Sequence, residues 1–134
     1  MCLRYITGDL FSSPETDALA HCISADCHMA AGIAVDFKNR YGGVRELQMA
    51  RLSPGGVGVL ERGPRTIFYL VTKSIATNKP TYATLCASLK AMKVECISRN
   101  ITKVSIPRIG CRLDRLRWGR VAVLIKRVFL HSGI

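Results

Sequence analysis

Acidic residues are scarce in this chain. Nine Asp and Glu stand against 20 Lys and Arg over 134 residues, for a formal charge of +11. The imbalance is strongest from Arg99 onward, where nine Lys/Arg face one acid, Asp114. It points to a polyanionic partner, such as nucleic acid or a pyrophosphate ligand, or else to a solvated basic face with no specific partner. Long apolar runs are missing too. None nears the roughly 18 residues that a membrane span needs, so no membrane role is expected. The start of the chain lacks a charged segment followed by an apolar one, the pattern of a secretion signal. A nuclear or cytoplasmic location is therefore expected, where disulfides do not persist. No CxxC pair occurs among the six cysteines. His21, Cys22, Cys27 and His28 form the only dense group of metal-ligand types. Adjacent residues of a strand point to opposite faces, so His21 and Cys22 could not share an ion, and no metal site is expected. Trp118 is the single tryptophan and is expected to pack against the core. Internal repeats, linkers and low-complexity tracts are all absent, so residues 1–134 read as one domain, expected to be a monomer.

What is present is alternation. With 49% apolar residues the chain can bury a core. Residues 3–7 (Leu-Arg-Tyr-Ile-Thr) alternate and stop at Gly8, which reads as a strand. Residues 18–23 form an apolar run suited to a buried strand. Residues 33–41 and 44–52 have helical spacing and are separated by Gly42-Gly43. Residues 57–60 and 66–72 read as a hairpin turning at Arg62-Gly63-Pro64-Arg65. Residues 81–98 are the clearest helix. Pro80 precedes it, Thr81 can cap it, and Leu85, Leu89, Met92 and Cys96 fall on one stripe. Residues 101–106 read as a strand. Residues 116–130 read as an amphipathic helix with Val121, Leu124, Ile125, Val128 and Phe129 inward. Strands alternating with helices imply an α/β architecture of three layers, with a sheet made mixed by the hairpin.

Four stretches could carry chemistry. Gly8-Asp9-Leu10 follows a strand, and its carboxylate could accept from an amino group or simply cap a turn. In HCISADCHMAAGIA, residues 21–34, small side chains let backbone N–H groups approach a ligand just before a helix starts, which suits a pyrophosphate. Thr72-Lys73 ends an apolar strand. The lysine is either a solvated cation or, if its amine is held neutral, a nucleophile. Residues 105–116 (SIPRIGCRLDRL) put Asp114 on a loop leaving a strand, where open α/β sheets place their ligand chemistry, or at the N-cap of the next helix.

Together these four motifs resemble those of macro domains, in the branch that removes terminal ADP-ribose from proteins, and the likeness covers nearly the whole chain. It implies a three-layer α/β/α fold with a mixed sheet; this branch adds a final strand after the last helix, where this sequence stops, so that either the sheet is shorter or the sequence is truncated. It also implies an ADP-ribose glycohydrolase that frees mono-ADP-ribose from acidic side chains and deacylates O-acyl-ADP-ribose, with no cofactor and no metal. Its partners would be ADP-ribose and ADP-ribosylated proteins. In that reading Asp9 and the Leu10 amide hold adenine, Ala31, Gly32 and Ile33 cradle the pyrophosphate, and Ser24 lines the distal ribose. Thr72, Pro107, Ile109, Gly110, Cys111, Arg112 and Leu113 line the rest of the site. Lys73 attacks C1 of the distal ribose and Asp114 serves as acid/base. Two positions depart from the family pattern: Ala30 and Arg112 each stand where a glycine is expected. They leave a second reading open, a module that binds ADP-ribose without turning it over, with nucleic-acid affinity from the basic C-terminal region.

Overall fold

A computed structural model describes residues 3–29, 31–109 and 116–134. Two strands are apolar on both faces and occupy the centre of the sheet. They are β1 (Ala18–Ser24) and β3 (Arg65–Lys73), nearly every residue of which is buried. Strands buried on both sides belong in a parallel pair covered by helices, and β1 and β3 run parallel, with Leu19 opposite Ile67 and Ile23 opposite Val71. The outer strands are β2 (Val57–Arg62) and β4 (Val104–Ser105). The sheet order is β2-β3-β1-β4, with only the β2–β3 pair antiparallel. That pair turns at Gly63, whose φ of +60° is the left-handed conformation glycine supplies without strain.

Helices cover both faces. On one, Ala18, Ala20, Phe68 and Leu70 of the sheet meet α3 (Tyr82–Ser98) and α4 (Trp118–Phe129). The stripe Leu85, Leu89, Met92 and Cys96 is buried as its spacing predicts, and so are Val121, Ile125, Val128 and Phe129. Trp118 packs partly buried against the same cluster. On the other face, Leu19, Ile67, Tyr69 and Val71 meet α1 (Ile33–Tyr41) and α2 (Val44–Met49) through Phe37 and Leu47. His21 lies on this second face, stacked on Phe37, and Cys22 on the first, as strand alternation requires.

The helix α3 begins where its chemistry says it should. Thr81 accepts from the Thr84 amide, and Thr84 returns the bond to the Thr81 amide, satisfying two donors that a helix start leaves open. Its first two turns are also tied to β3, because Thr84 Oγ1 donates to the Thr72 carbonyl at 2.8 Å and Ser88 Oγ to the Val71 carbonyl at 2.8 Å.

Four expectations need correction. Residues 3–7 join no strand ladder. Their alternation favours a strand, but β4 pairs only with β1 and nothing among the described residues flanks them with backbone partners. Tyr5 and Ile6 are exposed, and Tyr5 rests edge-on against Trp118. The strand expected at residues 101–106 shrinks to Val104–Ser105. The chain leaves α3 through Asn100 at φ +56°, and the Ile101 amide is still bonded back to Cys96 of the helix. The helix expected at 44–52 stops at Met49, with Arg51 at φ +51° turning the chain. The last helix starts at Trp118 rather than near Leu116, and its N-cap position is Arg117. No strand follows α4 among the described residues. Residues 130–134 instead form a turn that packs Ile134 against the core.

Candidate active site

Because β1, β3 and β4 are parallel, their C-terminal ends share one rim of the sheet, the place where α/β folds assemble ligand sites. Ser24 ends β1, Lys73 ends β3, and Pro107 and Ile109 follow β4. α1 starts from the loop after β1. Its N-cap is Gly32, at φ +63° and ψ −149°, a conformation that side-chain-bearing residues avoid. No side chain caps this helix. The Val35 amide donates to the Gly32 carbonyl, while no backbone bond among the described residues takes the Ile33 and Ala34 amides, and with the helix dipole these favour an anion. Ala31, Gly32 and Ile33, expected from the sequence to cradle a pyrophosphate, lie at this helix start.

Lys73 sits at a break in the ladder. Ile23 faces Val71, but Ser24 faces Lys73, so Thr72 is the extra residue of a bulge. Bulges at strand ends re-aim side chains, and they recur beside functional sites. Thr72 is buried, and its hydroxyl has no hydrogen-bond partner. Lys73 itself is half-buried.

Asp9 takes up the local role open to it. Its carboxylate accepts from the Phe11 amide at 3.0 Å and starts a single 3₁₀ turn, Leu10–Ser12. That turn lies against α1, with the Phe11 ring 5.0 Å from Phe37 and the Arg40 guanidinium 4.2 Å from the Phe11 ring centre. Asp9 and Leu10 are thereby held beside the helix that carries the cradle. Pro107 and Ile109 form a turn, the Ile109 amide bonding the Pro107 carbonyl at 2.8 Å, with Ile109 buried in the core. Ala30 and residues 110–115, which include Gly110, Cys111, Arg112, Leu113 and Asp114, lie outside the described residues.

Sequence reasoning missed two residues here. Asp26 accepts from the Ser24 hydroxyl in a short contact, from the His28 amide at 3.1 Å and from the Ala76 amide at 3.3 Å. The Ser24 bond, helped by these amides, holds its carboxyl below the usual carboxylate range. The Ser-x-Asp spacing at a strand end was the available signal. His21 is the other. Burial pushes its pKa down to about 3, so it is a neutral ring, stacked on Phe37 at 3.8 Å between centroids and met edge-on by Tyr69.

Comparison with known proteins places this geometry in a class. No family model matches the chain. Among solved structures, the macrodomain of Mycobacterium tuberculosis DarG superposes with a TM-score of 0.85 at 25% identity, over 93% of this chain and 88% of that one. Thermosipho africanus DarTG in complex with ADP-ribose shares the fold, with a TM-score of 0.80 at 20% identity over 91% of this chain and 37% of that one. The fold is thus a macro domain. ADP-ribose glycohydrolase OARD1 of Homo sapiens is 54% identical over 132 residues, covering 98% of this chain and 87% of its own length. The chain belongs to the macro-domain family of ADP-ribose glycohydrolases.

Proposed function

We propose that this chain hydrolyses the bond between the distal ribose of ADP-ribose and an acidic protein side chain, and deacylates O-acyl-ADP-ribose. Lys73 is the nucleophile and Asp114 the acid/base. The observation that carries the reading is the shared rim, which joins the uncapped N-terminus of α1, Ser24 and Lys73. The likeness to the ADP-ribose complex and to the human glycohydrolase supports the same ligand. Diphosphate on the cradle leaves the distal ribose facing the strand ends. The Lys73 amine attacks C1, the C1–O bond breaks, and the substrate carboxylate leaves. Asp114 manages the protons of departure and then activates the water that cleaves the imine-type adduct, returning free lysine and ADP-ribose. The test is release of ADP-ribose from a glutamate-linked substrate. Wild type releases it and Lys73→Ala does not. ADP-ribose binding without release by wild type would leave only the module that binds without turnover.

A second reading rests on a separate group. The Arg120 guanidinium lies 4.3 Å from the Tyr82 ring centre, Arg108 lies 6.0 Å from that of Trp118, and Tyr5 packs on Trp118. Arginines interleaved with aromatic rings suit single-stranded nucleic acid. Affinity for an RNA or DNA oligonucleotide would then fall steeply with salt, and Arg120→Ala with Arg117→Ala would weaken it. Undetectable or salt-insensitive binding would refute this reading.

A further inference from the structure

We propose that Asp26 is a positioning residue for the reaction, a carboxylate clasp that fixes Lys73 relative to the pyrophosphate cradle. The inference rests on the roles given above to Lys73 and to the start of α1. The substrate must touch two loops at once. Its diphosphate lies on the loop after β1, and its distal ribose faces the end of β3. Between these loops run two backbone bonds, from the Ala25 amide to the Lys73 carbonyl at 2.8 Å and from the Asp26 amide to the Ser74 carbonyl at 3.3 Å. Asp26 adds a tie through its side chain. Oδ1 takes the Ser24 hydroxyl and the His28 amide, on the cradle side. Oδ2 takes the Ala76 amide, three residues past Lys73.

An exposed aspartate on a loop would ordinarily spend its bonds on its own turn. Here one oxygen reaches fifty residues along the chain to the other loop. At Thr72 the β1–β3 ladder shifts register by one residue, and its last pair sets Ser24 opposite Lys73. The clasp begins where that ladder ends. A displacement of about 1 Å between a nucleophile and a bound carbon can cost roughly 10²-fold in rate. The backbone bonds survive loss of the side chain, so the fold persists without the clasp.

The experiment measures kcat on a glutamate-linked ADP-ribose substrate, Kd for ADP-ribose, and amide hydrogen exchange over residues 73–79. Asp26→Ala is expected to lower kcat by about 10- to 100-fold while Kd changes less than about threefold. Asp26→Asn keeps one acceptor oxygen and recovers part of the loss. Ala76→Pro deletes the cross-loop donor at the second position of the turn closed by Asn78 on Ile75, a place proline favours. It should lower kcat in the same direction, and adding it to Asp26→Ala should cause no further loss, since both remove one contact. Unchanged kcat in Asp26→Ala, equal losses in kcat and affinity, or multiplying effects in the double variant would overturn the proposal. If wild type itself releases nothing, the glycohydrolase reading fails, and the clasp is decided by exchange. Faster exchange at Ala76 in Asp26→Ala supports it, and unchanged exchange refutes it.

Discussion

Removing the Phe37 ring should uncouple α1 from the sheet. Phe37 is the one fully buried residue of that helix. It lies parallel on His21 at 3.8 Å and edge-on to Phe11 at 5.0 Å, with Tyr41 and Tyr69 near 6 Å. Truncating a buried Phe to Ala costs about 3–5 kcal/mol, from lost transfer free energy and the cavity left behind. The upper half of that range is expected here, because the vacated space borders a buried, neutral His21 whose ring nitrogens have no partner. For a chain of this size that is a fall in Tm of roughly 10–20 °C. The effect reaches the site. With its anchor gone, the open amides at the start of α1 lose their fixed direction, and the Asp9 turn loses the ring against which Phe11 packs. Phe37→Ala should therefore bind ADP-ribose about tenfold more weakly, measured by calorimetry well below its own Tm. Denaturant unfolding gives the stability term. A loss below about 1 kcal/mol, or a full loss of stability with unchanged affinity, would refute the claim that this ring couples core and cradle.

Two further outcomes follow from buried polar groups. His21 takes up a proton near pH 6.5 in the unfolded chain but only near pH 3 when folded, so the unfolded state binds more protons between these values and stability falls as the pH drops. Relative to wild type, His21→Phe should gain about 2 kcal/mol between pH 6.5 and 4.5, read by denaturant unfolding at each pH, and parallel profiles would contradict this. Arg65 is buried, and its guanidinium donates to the carbonyls of Ser13, Pro14 and Asp17 at 2.9–3.0 Å. Arg65→Met keeps the stem but strands these acceptors, and should cost about 3 kcal/mol in the same assay. A cost within error of zero would show that water replaces the guanidinium.

The parts of the fold legible in the sequence are those where local signals agree with the final packing. α3 has a proline before it, a threonine at its cap and a single apolar stripe, and each does in the structure what its chemistry suggests. β1 and β3 are apolar on both faces, which only a covered central position satisfies. Residues 3–7 show the opposite case. Alternation expresses a preference for extended structure, yet a strand exists only if a neighbour supplies hydrogen bonds, and that neighbour is not visible in a local pattern. β4 is short for a related reason, since the chain is still turning out of α3 when it reaches β1.

The candidate site was legible as positions but not as a mechanism of support. Ser24, Gly32 and Lys73 fall where the motifs place them, because strand ends and helix starts are readable. Asp26 was not singled out, since an aspartate after a strand is common and its distant partner, Ala76, lies fifty residues away. His21 looked like a member of an apolar run, which it is. What its position concealed was the stack on Phe37 that links the sheet to the cradle helix. The bulge at Thr72 also left no trace in the sequence, since it depends on how two strands register.

As the proposed nucleophile, Lys73 should become covalently attached to the distal ribose. Intact mass spectrometry after incubation with ADP-ribose and a hydride reductant tests it directly, with Lys73→Ala as control. A trapped adduct is expected on wild type, mapped to Lys73 by peptide analysis and absent from the variant. ADP-ribose binding with no adduct, or an adduct that persists in Lys73→Ala, would contradict it.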